Sequence, residues 1–319
     1  MHVKEQPAIY AVDQDGLWKK VIGDLFEDFL LFFNPDLHAH IDFTKPPDFL
    51  QQELFQLVND RKKGRGVADQ IVKVQMKEGS EQWVLIHVEV QGADQEDFSA
   101  RMFQYFYRIY DRYREKIFAL AIMTAPHESK APADFHYQFF GTTLQYAYTT
   151  RKLLDYSEEE LEKSDKLFSK VVMAAKYLHL TKDQEQQRYQ FKMKLMRDIV
   201  RNEKYPRTAV QAVFHFIDYL LKLPKDLELK LAQTMYPILG EEEQLMELYN
   251  KENASPTISN AFHMERVEGR LEGRLEGEKK ARFHVVQNML KKDWSIEDIA
   301  DVTGLSEEDI LAIRDEMVQ

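Results

Sequence analysis

Two carboxylates in the first half of the chain lie where they could hold a metal ion. They flank the apolar-alternating segments "VADQIVKVQM" and "QWVLIHVEVQ", which are separated by the glycine-containing turn "KEGSE". This pattern predicts an antiparallel β-hairpin. We expect residue 76 to pair with 82 and Asp69 with about Glu89, so the two carboxylates approach each other at the end of the hairpin away from the turn.

The second strand of this hairpin becomes polar at its end. Because side chains alternate between the faces of a strand, His87, Glu89 and Gln91 share one face, and valines and an isoleucine occupy the other. Hard cations prefer oxygen ligands, so Asp69 and Glu89 predict a Mg²⁺ or Mn²⁺ site, with the carbonyl oxygen of Val90 as a third ligand. His87 either supports this site or is an ordinary sheet histidine. The alternative for the carboxylates is that they are simply solvated at the strand ends.

The segment "DFSARMFQYFYRIYDRYREK" predicts a helix with a basic stripe. At about 100° per residue the stripe comprises Arg101, Tyr105, Arg108 and Arg112. The opposite stripe is predicted to face the core and comprises Met102, Phe103, Phe106, Tyr110, Tyr113 and Ile117. Arginine pairs with phosphate through two hydrogen bonds, so the basic stripe predicts a surface that contacts a nucleic-acid backbone. More positive charge comes from Arg61, Lys62, Lys63 and Arg65 in the loop before the hairpin. The alternative is a solvated helix face.

Several segments together resemble a known family. They are "GLWKKVIGDLFEDFLLFF", "ADQIVKV", "WVLIHVEVQG", "FSARMFQYFYRIYDRY" and "EGRLEGRLEGE". Over most of its length the chain is similar to the recombination-promoting nuclease and transposase branch of the PD-(D/E)XK nuclease superfamily. The resemblance implies an α/β fold, namely a restriction-endonuclease-like mixed sheet flanked by helices, followed by an all-helical C-terminal region. It also implies a metal-dependent DNA endonuclease that acts in recombination or transposition.

The resemblance assigns roles to individual residues. Asp69 and Glu89 match the metal ligands, and Gln91 stands where the superfamily pattern has lysine. A lysine would supply a positive charge to stabilise the transition state, whereas glutamine only forms hydrogen bonds. We therefore expect Lys73, on the same strand face as Asp69, to supply the missing charge.

Two further expectations follow from the resemblance. Such sites commonly include an acid from an earlier helix, for which Glu53 is the first candidate and Glu27 the weaker one. Many members have a glutamine–tyrosine or similar pair on the helix after the hairpin, and Arg101 and Tyr105 match that spacing with arginine substituted.

The composition favours a water-soluble protein. The 319 residues include 44% hydrophobic and 30% charged residues and no cysteine, and no apolar run reaches the roughly 18 residues that span a membrane. The sequence starts without the apolar core of a signal peptide, so we expect a cytoplasmic protein that does not insert into membranes. The net charge of −11 argues against a non-specific nucleic-acid coat but not against a nuclease.

The pattern divides the chain into four predicted regions. These are a nuclease core over 1–155, a helical region over 156–252, a linker and repeat helix over 253–282, and a helix-turn-helix-like module over 283–319. Within the core, one helix is predicted over 15–33, a short helix after Pro46 and Pro47, and strands at "IFALAIMT" and "LQYAYTTRKLL".

The repeat "VEGRLEGRLEGE" has glycines and leucines each at four-residue intervals, with glutamates on one side of the leucine stripe and arginines on the other. A helix with a smooth glycine side and oppositely charged flanks is suited to pairing with another helix. We expect this helix to pair with a second copy, which would make a homo-oligomer; a flexible connector is the alternative. The final helix is acidic and would be repelled by phosphates, so we interpret the module as a protein contact. This disfavours a transcriptional regulator.

Two functions from different classes follow. The first is a Mg²⁺-dependent DNA endonuclease. The second is an inactive scaffold that binds nucleic acid or protein and keeps the nuclease fold. Binding of Mn²⁺ by Asp69 and Glu89 would distinguish them, because a scaffold has no need of the ion.

Overall fold

The computed structural model describes residues 14–50, 67–79, 81–89, 95–124 and 133–316, with the backbone alone at 67–69, 81–89, 95–97, 268, 272 and 316. The architecture is mixed α/β with a helical C-terminal region, as predicted. The chain divides into two compact units, Met1–Ile258 and Ser259–Gln319. Across the described ranges, no helix is both long enough and apolar enough to cross a membrane.

The predicted first helix is two helices. They are α1 (Gln14–Asp24) and α2 (Phe26–Phe33), and a short α3 (Pro35–His40) follows. Leu25 interrupts the helix with φ −126° and ψ 36°. The apolar residues that predicted the helix are buried on both sides of this break. The apolar spacing continues across Leu25, so the periodicity gave no sign of the interruption.

A five-stranded mixed sheet forms the centre of the first unit. Its strands are β1 (Asp48–Phe49), β2 (Val67–Gln75), β3 (Glu81–Glu89), β4 (Ile117–Met123) and β7 (Thr149–Lys152), in that spatial order. The first three strands are antiparallel, and β3, β4 and β7 are parallel. Helix α4 (Gln95–Tyr113) connects β3 to β4. The predicted hairpin, helix and apolar strand are therefore confirmed. The predicted short helix after Pro46 and Pro47 falls mainly outside the described residues, and its start at Asp48 is strand β1.

The register of the β2–β3 hairpin differs from the prediction. Asp69 pairs with His87, and Glu89 pairs with Val67. The strands join through residues 76–80, and Gln75 pairs with Glu81. The expected pairing of Asp69 with Glu89 was wrong by two positions. A shift of two leaves each side chain on its own face of the sheet, so Asp69 and Glu89 occupy diagonal positions on one face.

Different helices pack against the two faces of the sheet. On one face, Ile71, Ala121 and Met123 belong to a buried cluster with residues of α4. On the other face, Val72 and Gln70 are buried and α1 packs against β2. The Gln70 side-chain amide donates a hydrogen bond to the carbonyl oxygen of Lys19 at 2.9 Å.

A second, two-stranded sheet packs on α4. Strands β5 (Asp134–Phe139) and β6 (Thr142–Ala147) form an antiparallel hairpin in which Phe135 pairs with Tyr146. The Phe135 ring stacks on Phe103 with centroids 4.9 Å apart, and the Tyr146 ring lies 4.6 Å from that of Phe106. The segment "LQYAYTTRKLL", predicted as one strand, is thus divided between β6 and β7.

Helices make up the rest of the first unit, as predicted. They are α5 (Glu158–Lys163), α6 (Phe168–Leu180), α7 (Glu185–Val200), α8 (Arg207–Leu220), α9 (Lys225–Gly240) and α10 (Glu243–Met246). Helix α8 packs against α1, α6 and α7, which joins this region to the N-terminal helices. Ser157 begins α5 with a capping box in which its side chain and that of Glu160 each accept a backbone N–H.

The C-terminal helices are α11 (Pro256–Leu290), α12 (Ile296–Thr303) and α13 (Glu307–Glu316). Helix α11 contains the whole glycine repeat and begins inside the segment predicted as a linker, which corrects that prediction. Val286, Ile299 and Ile310 form the core of the second unit. Gly304 ends α12 in the left-handed region at φ 69°, where glycine has no Cβ penalty. Helices α12 and α13 lie in the segment where the helix–turn–helix pair was predicted.

Candidate active site

The backbone brings three candidate residues to one end of the sheet. Asp69 lies directly opposite His87, and Glu89 is the diagonal neighbour of Asp69. Diagonal positions on an antiparallel pair are about 7–8 Å apart. On the parallel neighbour β4, His87 pairs with Ala121 and Glu89 with Met123. The three positions therefore cluster at the end of β3 from which the chain leads into α4.

These positions belong to the face that α4 covers. Ile71 is two residues from Asp69 on β2, and Ala121 and Met123 lie beside His87 and Glu89 on β4. All three apolar side chains pack in the cluster beneath α4. Because paired residues share a face, Asp69, His87 and Glu89 lie on this face too. The sequence alternation assigned His87 and Glu89 to one face, and the register adds Asp69.

The donor types at these positions fit a hard divalent cation. Asp69 and Glu89 carry carboxylates, which suit Mg²⁺ and Mn²⁺. The other predicted ligands, Val90 and Glu53, and the predicted catalytic Gln91 lie outside the described residues. Within the side chains that the structure describes, no group of three or more potential metal ligands occurs.

Lys73 is not close to the two carboxylate positions. It lies four residues along β2 from Asp69, a separation of about 13 Å at the usual strand rise. Its cross-strand partners are Trp83 on β3 and Asp48 on β1. A lysine side chain does not extend that far. The backbone therefore does not bring the predicted catalytic lysine together with Asp69 and Glu89.

Glu27 lies on a different part of the surface. Its carboxylate is 3.4 Å from Nε2 of His38, and its side chain is mostly exposed. Phe43 stacks on the imidazole of His38. This surface position is the solvated setting that made Glu27 the weaker candidate for a third ligand.

The four residues of the predicted basic stripe of α4 differ in burial. Tyr105 is only 6% exposed and belongs to the core, so its assignment to a nucleic-acid surface was wrong. Arg101 and Arg108 are half-buried and Arg112 is exposed. The Arg101 guanidinium lies 5.8 Å from the centroid of the Phe98 ring.

The three arginines lie on one flank of α4. The side chains of α4 that face the main sheet are Phe98, Met102, Tyr105 and Ile109. At about 100° per residue the three arginines fall to one side of this row, and Phe103, Phe106 and Tyr110 fall to the other. The predicted core stripe is therefore mainly the flank that packs on the β5–β6 hairpin. The basic flank faces away from that hairpin.

A buried hydrogen bond joins the second turn of α4 to Tyr148. Ser99 Oγ and the Tyr148 hydroxyl form a hydrogen bond at 3.0 Å. Burial raises the pKa of Tyr148 and, further, that of Tyr146. Both hydroxyls therefore stay protonated at neutral pH and contribute to packing rather than to charge.

The aromatic side chains of the β5–β6 hairpin were not predicted as functional residues. Phe135, Tyr137 and Phe139 alternate along β5, and this alternation was the available signal. Phe139 and Phe140 at the hairpin turn are strongly exposed. The hairpin thus adds an aromatic surface to the helix that carries the arginines.

Comparisons of the chain with protein-family models, with curated proteins and with solved structures found no match.

Proposed function

We propose that the chain is a Mg²⁺-dependent DNA endonuclease with a restriction-endonuclease-like fold, related to the recombination-promoting nucleases that its sequence resembles. The main support is the diagonal placement of Asp69 and Glu89 on the face beneath α4. The order of hairpin, helix and parallel strand agrees with the expected fold. DNA is then the substrate, and the cytoplasm is the expected location.

The carboxylates of Asp69 and Glu89 would hold the cation, together with the carbonyl oxygen of Val90 and the carboxylate of Glu53. When bound, the ion lowers the pKa of a water molecule and polarises the phosphodiester. Gln91 would orient the attacking water by hydrogen bonding. Lys73 has no part in this proposal because of its distance along β2.

The substrate would be held by the basic flank of α4. Arg101, Arg108 and Arg112 recur at intervals of seven and four residues, which places them on one side of the helix. The helix begins at the sheet end that carries Asp69 and Glu89. Arginines beside a metal-assisted site bind the phosphates that flank the scissile bond.

One observation favours the inactive scaffold as a second candidate. Gln91 lacks the positive charge that lysine supplies in most of the superfamily, and Lys73 is too far along β2 to replace it. A scaffold would keep the arginine flank and bind DNA without cutting it.

The test is nicking of supercoiled plasmid with Mg²⁺ or Mn²⁺ by the wild type and by the Asp69→Asn and Glu89→Gln variants. We expect loss of nicking in both variants and full activity in Glu78→Gln, which removes an exposed carboxylate from the turn of the same hairpin. Equal nicking by all four proteins would contradict the proposed site. DNA binding without nicking by the wild type, and without Mn²⁺ binding, would establish the scaffold.

A further inference from the structure

The β5–β6 hairpin has one aromatic face and one polar face. Phe135 pairs with Tyr146, Tyr137 with Leu144, and Phe139 with Thr142. Paired residues share a face, so these aromatic rings lie on one side of the hairpin. The other face carries the polar side chains of His136, Gln138, Thr143 and Gln145, with Asp134 at the start of β5.

Helix α4 covers only part of the aromatic face. Tyr148 contacts Phe98, and Tyr146 contacts Phe103 and Phe106. The residue nearer the hairpin turn, Tyr146, thus contacts α4 further toward its C-terminus than Tyr148 does. The hairpin turn therefore points toward the C-terminal half of the helix. The aromatic side chains near the turn are exposed to solvent: Tyr137 is 47% exposed, Phe139 60% and Phe140 93%.

The turn itself is strained. Phe140 has φ 41° and Gly141 has φ 87°. A two-residue turn of this type ordinarily takes asparagine or glycine at both positions, and a bulky residue in the left-handed region is an outlier. The Phe140 ring meets Phe139 edge-on with centroids 4.7 Å apart. Backbone strain and an almost fully exposed ring both oppose stability, and such strain tends to occur at functional sites.

Charge and spacing indicate what binds there. From Phe135 to Tyr148 the sequence has no Asp, Glu, Lys or Arg, although charged residues make up 30% of the chain. Contacts would therefore depend on the ring faces and on hydrogen-bonding groups such as the amides of Gln138 and Gln145. Tyr137 and Phe139 are two positions apart on one face, about 6.7 Å. This is twice the spacing of about 3.4 Å between stacked bases, so one base fits between the two rings.

We propose that Tyr137, Phe139 and Phe140 stack on the bases of single-stranded or unwound DNA. This inference rests on the proposed function and deepens it, because it makes the substrate a DNA with unpaired bases. Aromatic rings on strands bind bases in this way without sequence preference, since every base has a π face. Tyr110, which is exposed on α4 and contacted by the guanidinium of Arg114, extends the same surface.

The test measures binding of a fluorescent thymidine 20-mer by anisotropy, in EDTA so that no cleavage occurs. Phe140→Asn removes the exposed ring and places a residue suited to the left-handed region, so the fold is retained. We expect it to weaken binding about tenfold, and Phe139→Ser with Phe140→Asn to weaken it further. Binding of a fully paired duplex should change less than about twofold. Trp294→Ser, which removes an exposed aromatic ring elsewhere, is the matched control and should bind normally.

Equal affinities of wild type and Phe140→Asn for the single strand would overturn the proposal. Failure of the wild type to bind the 20-mer would also overturn it. So would a result in which binding to anionic lipid vesicles depends on Phe140 but binding to the 20-mer does not. The two proposals fail separately. If binding depends on Phe140 but no variant or wild type nicks DNA, the stacking surface stands and the endonuclease does not. If nicking depends on Asp69 but Phe140→Asn binds the single strand as wild type does, the endonuclease stands and the stacking surface does not.

Discussion

Lys192 and Asp218 form an ion pair in the interior of the helical region. Nζ of Lys192 lies 2.8 Å from Oδ1 of Asp218, and both side chains are completely buried. Glu228 completes a triad, with Oε1 at 2.9 Å from the same Nζ. The Asp218 carboxylate also accepts the backbone N–H and the hydroxyl of Thr257, each at 2.8 Å. This cluster therefore ties α7, α8 and α9 to the first turn of α11.

We predict that Lys192→Met destabilises the first unit by about 3–5 kcal/mol, the cost of leaving buried charges without their partner. Two carboxylates would then face each other without a cation. The measurement is urea unfolding at pH 7. Lys194→Met is the control, because Lys194 forms an exposed pair with Glu162 and should cost less than about 1 kcal/mol. Equal losses in the two variants would contradict the importance of the triad.

The pH dependence of stability should reveal Glu228. Burial raises the pKa of Glu228 and the charge of Asp218 raises it further, although Lys192 acts in the opposite direction. The folded protein therefore takes up this proton at a higher pH than the unfolded chain. Protonation of Glu228 therefore stabilises the folded state: this contribution is absent at a pH above the folded-state pKa and increases as the pH falls below that pKa.

We accordingly expect the free energy of unfolding of Glu228→Gln, relative to that of wild type, to be highest at pH 8 and to decrease toward pH 5. Glutamine cannot take up the proton that favours the folded wild type under acidic conditions. Urea unfolding of both proteins at several pH values measures this difference. The exposed Glu243→Gln controls for removal of one carboxylate elsewhere. A difference between Glu228→Gln and wild type that does not change with pH would contradict the prediction.

The sequence predicted the faces of the hairpin strands but not their pairing. Alternation with a period of two is unchanged by a shift of two residues, so it placed Glu89 on the correct face while leaving its partner open. The turn decides the register, and Gly79 at φ 85° takes part in it. Nothing in the apolar pattern specifies how many residues such a turn uses.

Helix α4 shows a second limit. Periodicity identified the helix, and its last residue is Tyr113. The pattern assigned Tyr105 to the arginine stripe because aromatic residues occur around most of the helix. Phe103 and Phe106 are apolar for a different reason, since they pack on Phe135 and Tyr146. The β5–β6 hairpin is itself local in sequence, but its packing on α4 joins residues more than 30 positions apart, and the spacing within the helix does not encode that contact.

The arginine flank makes a quantitative prediction for DNA binding. Each arginine that neutralises a phosphate adds about 0.9 to the slope of log affinity against log salt for duplex DNA. Arg108→Ala and Arg112→Ala should therefore each weaken binding and reduce the slope by about one. Binding titrations at several salt concentrations measure it. Arg314→Ala, on the acidic helix α13, is the matched control and should leave the slope unchanged. If Arg108→Ala and Arg112→Ala also leave the slope unchanged, the arginine flank does not contact phosphates.

Self-association should depend on the leucine stripe of α11. Val267, Leu271 and Leu275 recur every four residues and are each more than half exposed. At 100° per residue the glycines of the repeat lie on the opposite side of the helix, and a Cβ added at Gly273 would meet no atom within 4 Å. We expect Leu271→Ser with Leu275→Ser to shift the protein toward monomer in sedimentation equilibrium.

Gly273→Ala distinguishes the two faces. If copies pair through leucines, this variant keeps the oligomer and gains up to about 1 kcal/mol of helix stability from the alanine. If copies pair through the smooth glycine face, the added methyl group prevents close approach and the oligomer is lost. A wild-type protein that remains monomeric at high concentration would contradict self-association altogether. In that case the exposed leucines would need a partner other than a second copy.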